Sequence, residues 1–306
     1  MSADTGTATG TATGSEASRI HNIGYRSYDG VRLGRSYARR SLYSQSLRGA
    51  FGLGRSAKSK VLPMLLCGVM CLVALIIVAV AMAAPTMTKL PVRYTSFAIY
   101  LQAVIGLFVA SQAPQSVSRD LRFKSVPLYF SRPIERVDYV LAKFGAMASA
   151  LLVLTGLPLV ILYVGALLAK FDFADQTKWF GQGMVSVALL SVLFAGLGLV
   201  VAALTPRRGF GVAAVIAVLT ITYGAVSTVQ GIAWTTGSTG AVSWLGLFSP
   251  ITLIDGVQTA FLGATSAFPG GEGPGAAAGV VYLLVVLALV AGSYAVLMRR
   301  YRRVGL

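Results

Sequence analysis

The side chains able to do chemistry in this chain of 306 residues are few and scattered. Its one histidine is His21, and its two cysteines are Cys67 and Cys71. The ten acids are Asp4, Glu16, Asp29, Asp120, Glu135, Asp138, Asp172, Asp175, Asp255 and Glu272. A zinc centre gathers its ligands from Cys, His, Asp and Glu, and no such grouping is written here. Cys67 and Cys71 lie four apart on one helix face, but no His or acid accompanies them, so they read as small packing residues. Hydrolysis inside a membrane by a Ser–His pair or paired aspartates lacks its residues. No G-x-x-x-x-G-K-S/T loop occurs, and Gly52-Leu53-Gly54 follows no strand, so no nucleotide site is expected. The chain reads as a non-enzyme, with no catalytic residue, metal or cofactor of its own.

Polar but uncharged residues remain. Gln102, Gln112, Thr220, Tyr223 and Gln230 sit in strongly apolar surroundings. Such side chains either hydrogen-bond one helix to another, the commoner use, or line a path for a substrate. Which of these they do depends on the elements that carry them.

The chain is 56% hydrophobic with a mean hydropathy of +0.74, and only 12% of it is charged. The apolar residues fall in blocks of twenty or more without an ionisable side chain. That length lets a helix cross a hydrocarbon core of about 30 Å. Six such blocks run over 61–84, 94–114, 144–169, 183–205, 211–234 and 275–298. Their polarity does not alternate as barrel strands require, so the expected fold is an all-α membrane protein with six transmembrane helices. The fifth block is the weakest, because Thr220, Thr222, Tyr223, Ser227, Thr228 and Gln230 make its second half polar. None of the ten acids lies within a block; all are assigned to loops or tails, which argues against a carboxylate proton relay.

The formal charge of +16 and pI near 10.2 are explained by topology rather than nucleic acid. Of the 26 Lys and Arg, ten lie between Arg19 and Lys60 and six between Arg119 and Lys143. Arg207 and Arg208 mark the fourth connection, and four more stand between Arg299 and Arg303. The alternate connections carry only Lys89, Arg93, Lys170 and Lys178. Positive charge stays on the cytoplasmic side, so both termini are expected there, in a plasma (inner, cytoplasmic) membrane.

Outside the blocks, residues 1–18 are Thr/Gly/Ala-rich and read as a disordered tail, not a secretory signal. Residues 19–60 form a basic cytoplasmic leader, and 61–306 the membrane domain. Within 34–54, Tyr43, Leu47, Ala50 and Phe51 recur at i, i+4, i+7 and i+8, with Arg39, Arg40 and Arg48 largely elsewhere. That pattern predicts an amphipathic helix on the inner leaflet, meeting anionic headgroups; the plainer alternative is an ordinary basic juxtamembrane segment. Between the fifth and sixth blocks, a further apolar stretch over 244–262 is broken by Ser249-Pro250 and Asp255. A short re-entrant or outer helical hairpin is expected there rather than a seventh span.

The connection 115–143 is far longer than a turn between two spans needs. Phe123, Val126, Leu128, Tyr129 and Phe130 lie between charged flanks, and Pro133 is placed to open a new helix. A short, partly apolar helix of this kind suits docking into a groove on a partner protein.

Taken in order, Arg119-Asp120, Ser131-Arg132-Pro133 and Asp138-Tyr139-Val140-Leu141-Ala142-Lys143-Phe144 resemble the permease (transmembrane) subunits of ABC-2 type ABC transporters. The leader elements Ile23-Gly24-Tyr25-Arg26, Tyr28-Asp29-Gly30 and Arg32-Leu33-Gly34 are similar to a subgroup of that family. Leu247-Phe248-Ser249-Pro250 resembles its S-P element, and the likeness extends over about residues 20–306. One departure is that Asp120 is followed by Leu-Arg-Phe-Lys-Ser-Val-Pro rather than a Gly-Thr-Leu-Glu-like run. The resemblance implies separate ABC ATPase subunits, which would supply ATP and Mg²⁺, and a second permease, identical or homologous. It implies that 115–143 couples to the ATPase, with Asp120, Arg122, Phe123, Leu128 and Tyr129 as the contact residues.

An exporter permease for amphiphilic, lipid-like or drug-like substrates is the leading expectation. A non-transporting membrane scaffold recruiting cytoplasmic partners is the alternative. A passive channel is weaker, for want of a charged ring or ordered filter.

Overall fold

The computed structural model describes residues 30, 33–54, 56–84, 87–122, 134–205, 208–271 and 273–303. Among these residues every regular element is helical. In chain order they are α1 (Arg35–Ala50), α2 (Ala57–Ala83), α3 (Tyr94–Tyr100), α4 (Gln102–Arg122) and α5 (Arg136–Leu168). Then come α6 (Phe173–Leu204), α7 (Arg208–Thr235), α8 (Thr239–Leu245), α9 (Pro250–Phe261) and α10 (Ala276–Arg303). Single 3₁₀ turns lie at Gly246–Phe248 and Pro269–Gly271. Helices α2, α5, α6, α7 and α10 are each long and apolar enough to cross a bilayer, which marks a multi-pass membrane protein. A further candidate is the pair α3–α4, bent by 61°.

These helices coincide with the six charge-free blocks, and the differences have physical causes. The second block is broken at Leu101, with neither Gly nor Pro at the bend; the Val104 and Ile105 amides both donate to the Leu101 carbonyl, so hydrogen bonding continues through it. Tyr94 to Ile99 are buried, and the Tyr94 hydroxyl donates to Gln176 Oε1 of α6 at 2.8 Å, which fixes α3 independently of α4. The same block was expected to end at Pro114, yet α4 continues to Arg122. A proline removes one helical hydrogen bond without necessarily ending the helix. Its ring is received by Gly211 of α7, where a Cβ would lie 3.1 Å from Pro114 Cγ.

Helix α6 is the centre of the bundle: 61% of its apolar window is buried, against 17% for α7. Leu190, Leu193, Phe194 and Leu199 have no more than 1% exposure. Gly198 lets α4 approach closely, since a Cβ there would stand 2.3 Å from Val109 Cγ1; small residues at such crossings are the usual means of packing helices in lipid. On α2, Leu66, Met70, Ala74 and Val78 recur every four residues and are buried, while Leu72, Leu75 and Ile76 stand exposed as a lipid-facing surface does. The polar second half of α7 remains helical because Thr222 and Thr228 donate back to the carbonyls of Val218 and Gly224, at 2.5 and 2.8 Å.

Helix α1 packs on the bundle itself. Leu42 and Ala50 are buried, the Tyr43 hydroxyl donates to Ser149 Oγ of α5 at 2.7 Å, and Phe51 meets Phe108 of α4 with ring centroids 5.8 Å apart. The short helices α8 and α9 stand where the hairpin was expected, with Pro250 opening α9.

Candidate functional site

A groove of about 450 Å³ opens between α4 and α7. Gln102, Gly106 and Leu107 come from α4, and Ile216, Leu219, Thr220 and Tyr223 from α7, with Phe194 and Ile251 completing the lining. Gln102, Thr220 and Tyr223, three of the five polar residues singled out in the sequence, thus meet on one wall system. No described residue hydrogen-bonds their side chains, so an apolar groove presents an amide and two hydroxyls to whatever enters. Its volume lies in the range of small-molecule sites.

The other two are employed in packing. Gln230, 2% exposed, donates its amide to the Val242 carbonyl at 2.9 Å and fastens α7 to α8. Gln112, 4% exposed, donates to Ser111 Oγ at 3.2 Å and borders a separate polar cavity of about 250 Å³ beside α1.

A second arrangement lies at the α1 end, where the long connection leaves α4 and enters α5. The Tyr139 hydroxyl donates to Asp120 Oδ2 at 2.7 Å, and Lys143 Nζ lies 3.0 Å from the same oxygen. Lys143 also donates to the Ser116 carbonyl at 3.0 Å. Tyr139 and Lys143, four apart on α5, share a helix face and grip the last turn of α4 together. Tyr139 is fully buried against Tyr301 of α10, ring centroids 4.9 Å apart.

One residue away, Asp138 faces α1. Arg35 Nε donates to Asp138 Oδ2 at 2.6 Å, the Arg35 guanidinium also pairs with Glu135, and Arg39 Nη1 lies 3.8 Å from Asp138 Oδ1. Asp138 precedes the charge-free part of α5. The bond from Arg35, with help from the Glu135 amide and Arg39, satisfies the buried carboxylate.

Among the expected coupling residues, Asp120 is thus engaged within the chain, and Arg122 ends α4. Phe123, Leu128 and Tyr129 lie outside the described residues, as does the tail 1–18. On α1, Arg39, Arg40 and Arg48 are exposed, while Tyr43, Leu47 and Phe51 pack against the core.

Two buried acids that the sequence reading had placed in loops lie in helices: Asp138, 2% exposed in α5, is one, and Asp255 is the other. It lies within α9 with 1% exposure. Its Oδ1 accepts from Gln258 Nε2 and its Oδ2 from the Ala267 amide, each at 2.8 Å, and Ser186 of α6 donates to Gln258 Oε1 at 2.7 Å. The i, i+3 spacing of Asp255 and Gln258 was the available signal. No group of three or more potential metal ligands occurs among the described residues. No protein-family model matches the chain, and no curated protein does.

Proposed function

We propose that this chain is the membrane-spanning permease subunit of an ATP-driven exporter of the ABC-2 type. In this reading α2, the bent α3–α4 pair, α5, α6, α7 and α10 are six spans, with both termini on the cytoplasmic side of the plasma membrane. Helix α1 lies at the inner surface with Arg40 and Arg48 toward anionic headgroups, while Arg39 stands beside Asp138 of α5. Energy comes from separate ATPase subunits, since the sequence carries no nucleotide-binding loop of its own.

The observation that carries the proposal is the double clamp on the two helix ends that flank residues 123–135; the connection expected over 115–143 is shorter than that, because α4 runs to Arg122 and α5 starts at Arg136. One end is tied to α5 through Asp120, Tyr139 and Lys143. The other is tied to α1 through Asp138, Glu135 and Arg35. A push on the connection would therefore be delivered to α1, α4 and α5 together. Helix α4 forms one wall of the groove, so moving its inner end would change the opening between α4 and α7. With a second permease, the groove would become one flank of a shared cavity, and its mostly apolar lining with Gln102, Thr220 and Tyr223 suits amphiphilic substrates.

The test replaces Phe123 and Leu128 by Asp. Transport and partner-stimulated ATP hydrolysis should both be lost while the purified protein keeps its wild-type melting temperature. Undiminished ATPase coupling in the double variant would remove the connection from the mechanism.

A further inference from the structure

Among the described residues, Lys89, Arg93, Lys170 and Lys178 stand in or beside the connections at the end of the bundle remote from α1. Two of them, Lys89 and Arg93, line one cavity of about 70 Å³ where the α2–α3 connection meets α6. Neither forms an ion pair with an acid among the described residues, and no Asp or Glu lines the cavity. Lys89 Nζ stands 5.5 Å from the centroid of the Trp179 ring, which holds its ammonium by cation–π attraction. Arg93 spends one N–H on the Gly263 carbonyl at 2.8 Å and keeps the rest of its donor fork. Gln176, only 1% exposed, accepts from Tyr94 through its amide oxygen, so the group it has left to offer is the NH₂ donor.

The two charged groups around this cavity are both donors, Thr95 and Gln182 in the same lining can turn a donor toward a guest, and the formal charge of the lining is positive. That combination selects an oxyanion. The remaining wall is hydrocarbon, from Leu90, Val92 and Leu262, which a free inorganic ion would not use. Tryptophan beside basic residues at the end of a span also matches the level at which lipid headgroups lie.

We propose that this cavity binds the phosphate of an anionic lipid, with the phosphate between Lys89 and Arg93 and the first methylenes against Leu90, Val92 and Leu262. The site bridges the α2–α3 connection, α6 and the segment after α9. An occupied site would therefore tie the bent second span to the short helices at that end. The proposal requires only that the chain is a membrane protein and does not depend on an ATPase partner.

The experiment is native mass spectrometry of the full chain in an uncharged detergent, titrated with short-chain phosphatidylglycerol, phosphatidylcholine of equal chain length, or inorganic phosphate. The wild-type chain should bind one phosphatidylglycerol at least several-fold more tightly than phosphatidylcholine. Lys89→Gln, which leaves the Arg93–Gly263 bond in place, should weaken that binding roughly tenfold, as loss of one charge-assisted contact does. Lys178→Gln, a cation at the same end that does not line the cavity, should leave binding unchanged. Equal binding by wild type and Lys89→Gln would overturn the proposal, as would an equal loss in Lys178→Gln. Inorganic phosphate binding that needs Lys89, with no preference for the anionic lipid, would overturn the lipid assignment and give the site to a soluble phosphate.

Discussion

Lys143→Met isolates the clamp between α4 and α5, because methionine keeps most of the apolar stem and removes only the charge. The Lys143 and Asp120 side chains are 11% and 17% exposed, with Nζ and Oδ2 3.0 Å apart. Removing one partner of a buried pair costs about 3–5 kcal/mol, because the remaining charge is left without compensation. Here Asp120 keeps the Tyr139 hydroxyl at 2.7 Å and some solvent, which lowers the expectation to roughly 2–3 kcal/mol. Thermal unfolding at fixed scan rate should show a melting temperature lowered by roughly 4–8 °C. Adding Asp120→Asn to Lys143→Met should recover part of the loss, because the carboxylate that Lys143 balanced is gone as well. The double-mutant cycle should then give a coupling energy above about 1 kcal/mol. If the two changes add to within about 0.5 kcal/mol, the residues do not interact and the clamp is refuted.

Two further outcomes follow from the same geometry. Asp255→Ala should lower stability by roughly 2–4 kcal/mol, since it strands the Gln258 amide and the Ala267 N–H in a buried site; unfolding within error of wild type would show that the pair finds other acceptors. The α1–α5 contact should be insensitive to pH in the neutral range. Asp138 pairs with Arg35 only as the carboxylate, and an ordinary aspartate titrates at about 3.9. Its contribution is therefore complete above that value and is lost as pH falls below about 4. Spin labels at Ser41 and Val137, with Cys67 and Cys71 replaced by Ala, should give a narrow distance distribution from pH 8 to 5 that broadens only below about pH 4. Broadening between pH 7 and 6 would contradict the assignment.

Much of the fold was legible because lipid leaves the backbone so little choice. A charge-free block of twenty residues has to become a helix, and the weakest block became the unbroken α7 because Thr222 and Thr228 satisfy themselves on their own carbonyls. The bend at Leu101 was not legible, since no Gly or Pro marks it and the anchor of α3 from Tyr94 to Gln176 is a tertiary contact. Pro114 suggested an end where the helix continues, because Gly211 on another helix makes room for its ring. The five polar candidates could not be sorted beforehand: Gln102 and Gln230 are the same residue type in similar surroundings, and only the position of the Val242 carbonyl separates them. The Tyr139–Lys143 spacing was visible as part of a family-like pattern, whereas its grip on Asp120 depends on how α4 and α5 cross.

The most direct test of the central claim is to purify the tagged chain from its native membrane in mild detergent and identify by mass spectrometry what accompanies it. The account predicts a soluble protein bearing a Walker A sequence in roughly 1:1 ratio with this chain, together with a second permease or a second copy. Absence of any ATPase, even after crosslinking through a cysteine introduced at Leu128, would contradict the transporter reading and leave a membrane scaffold as the better account.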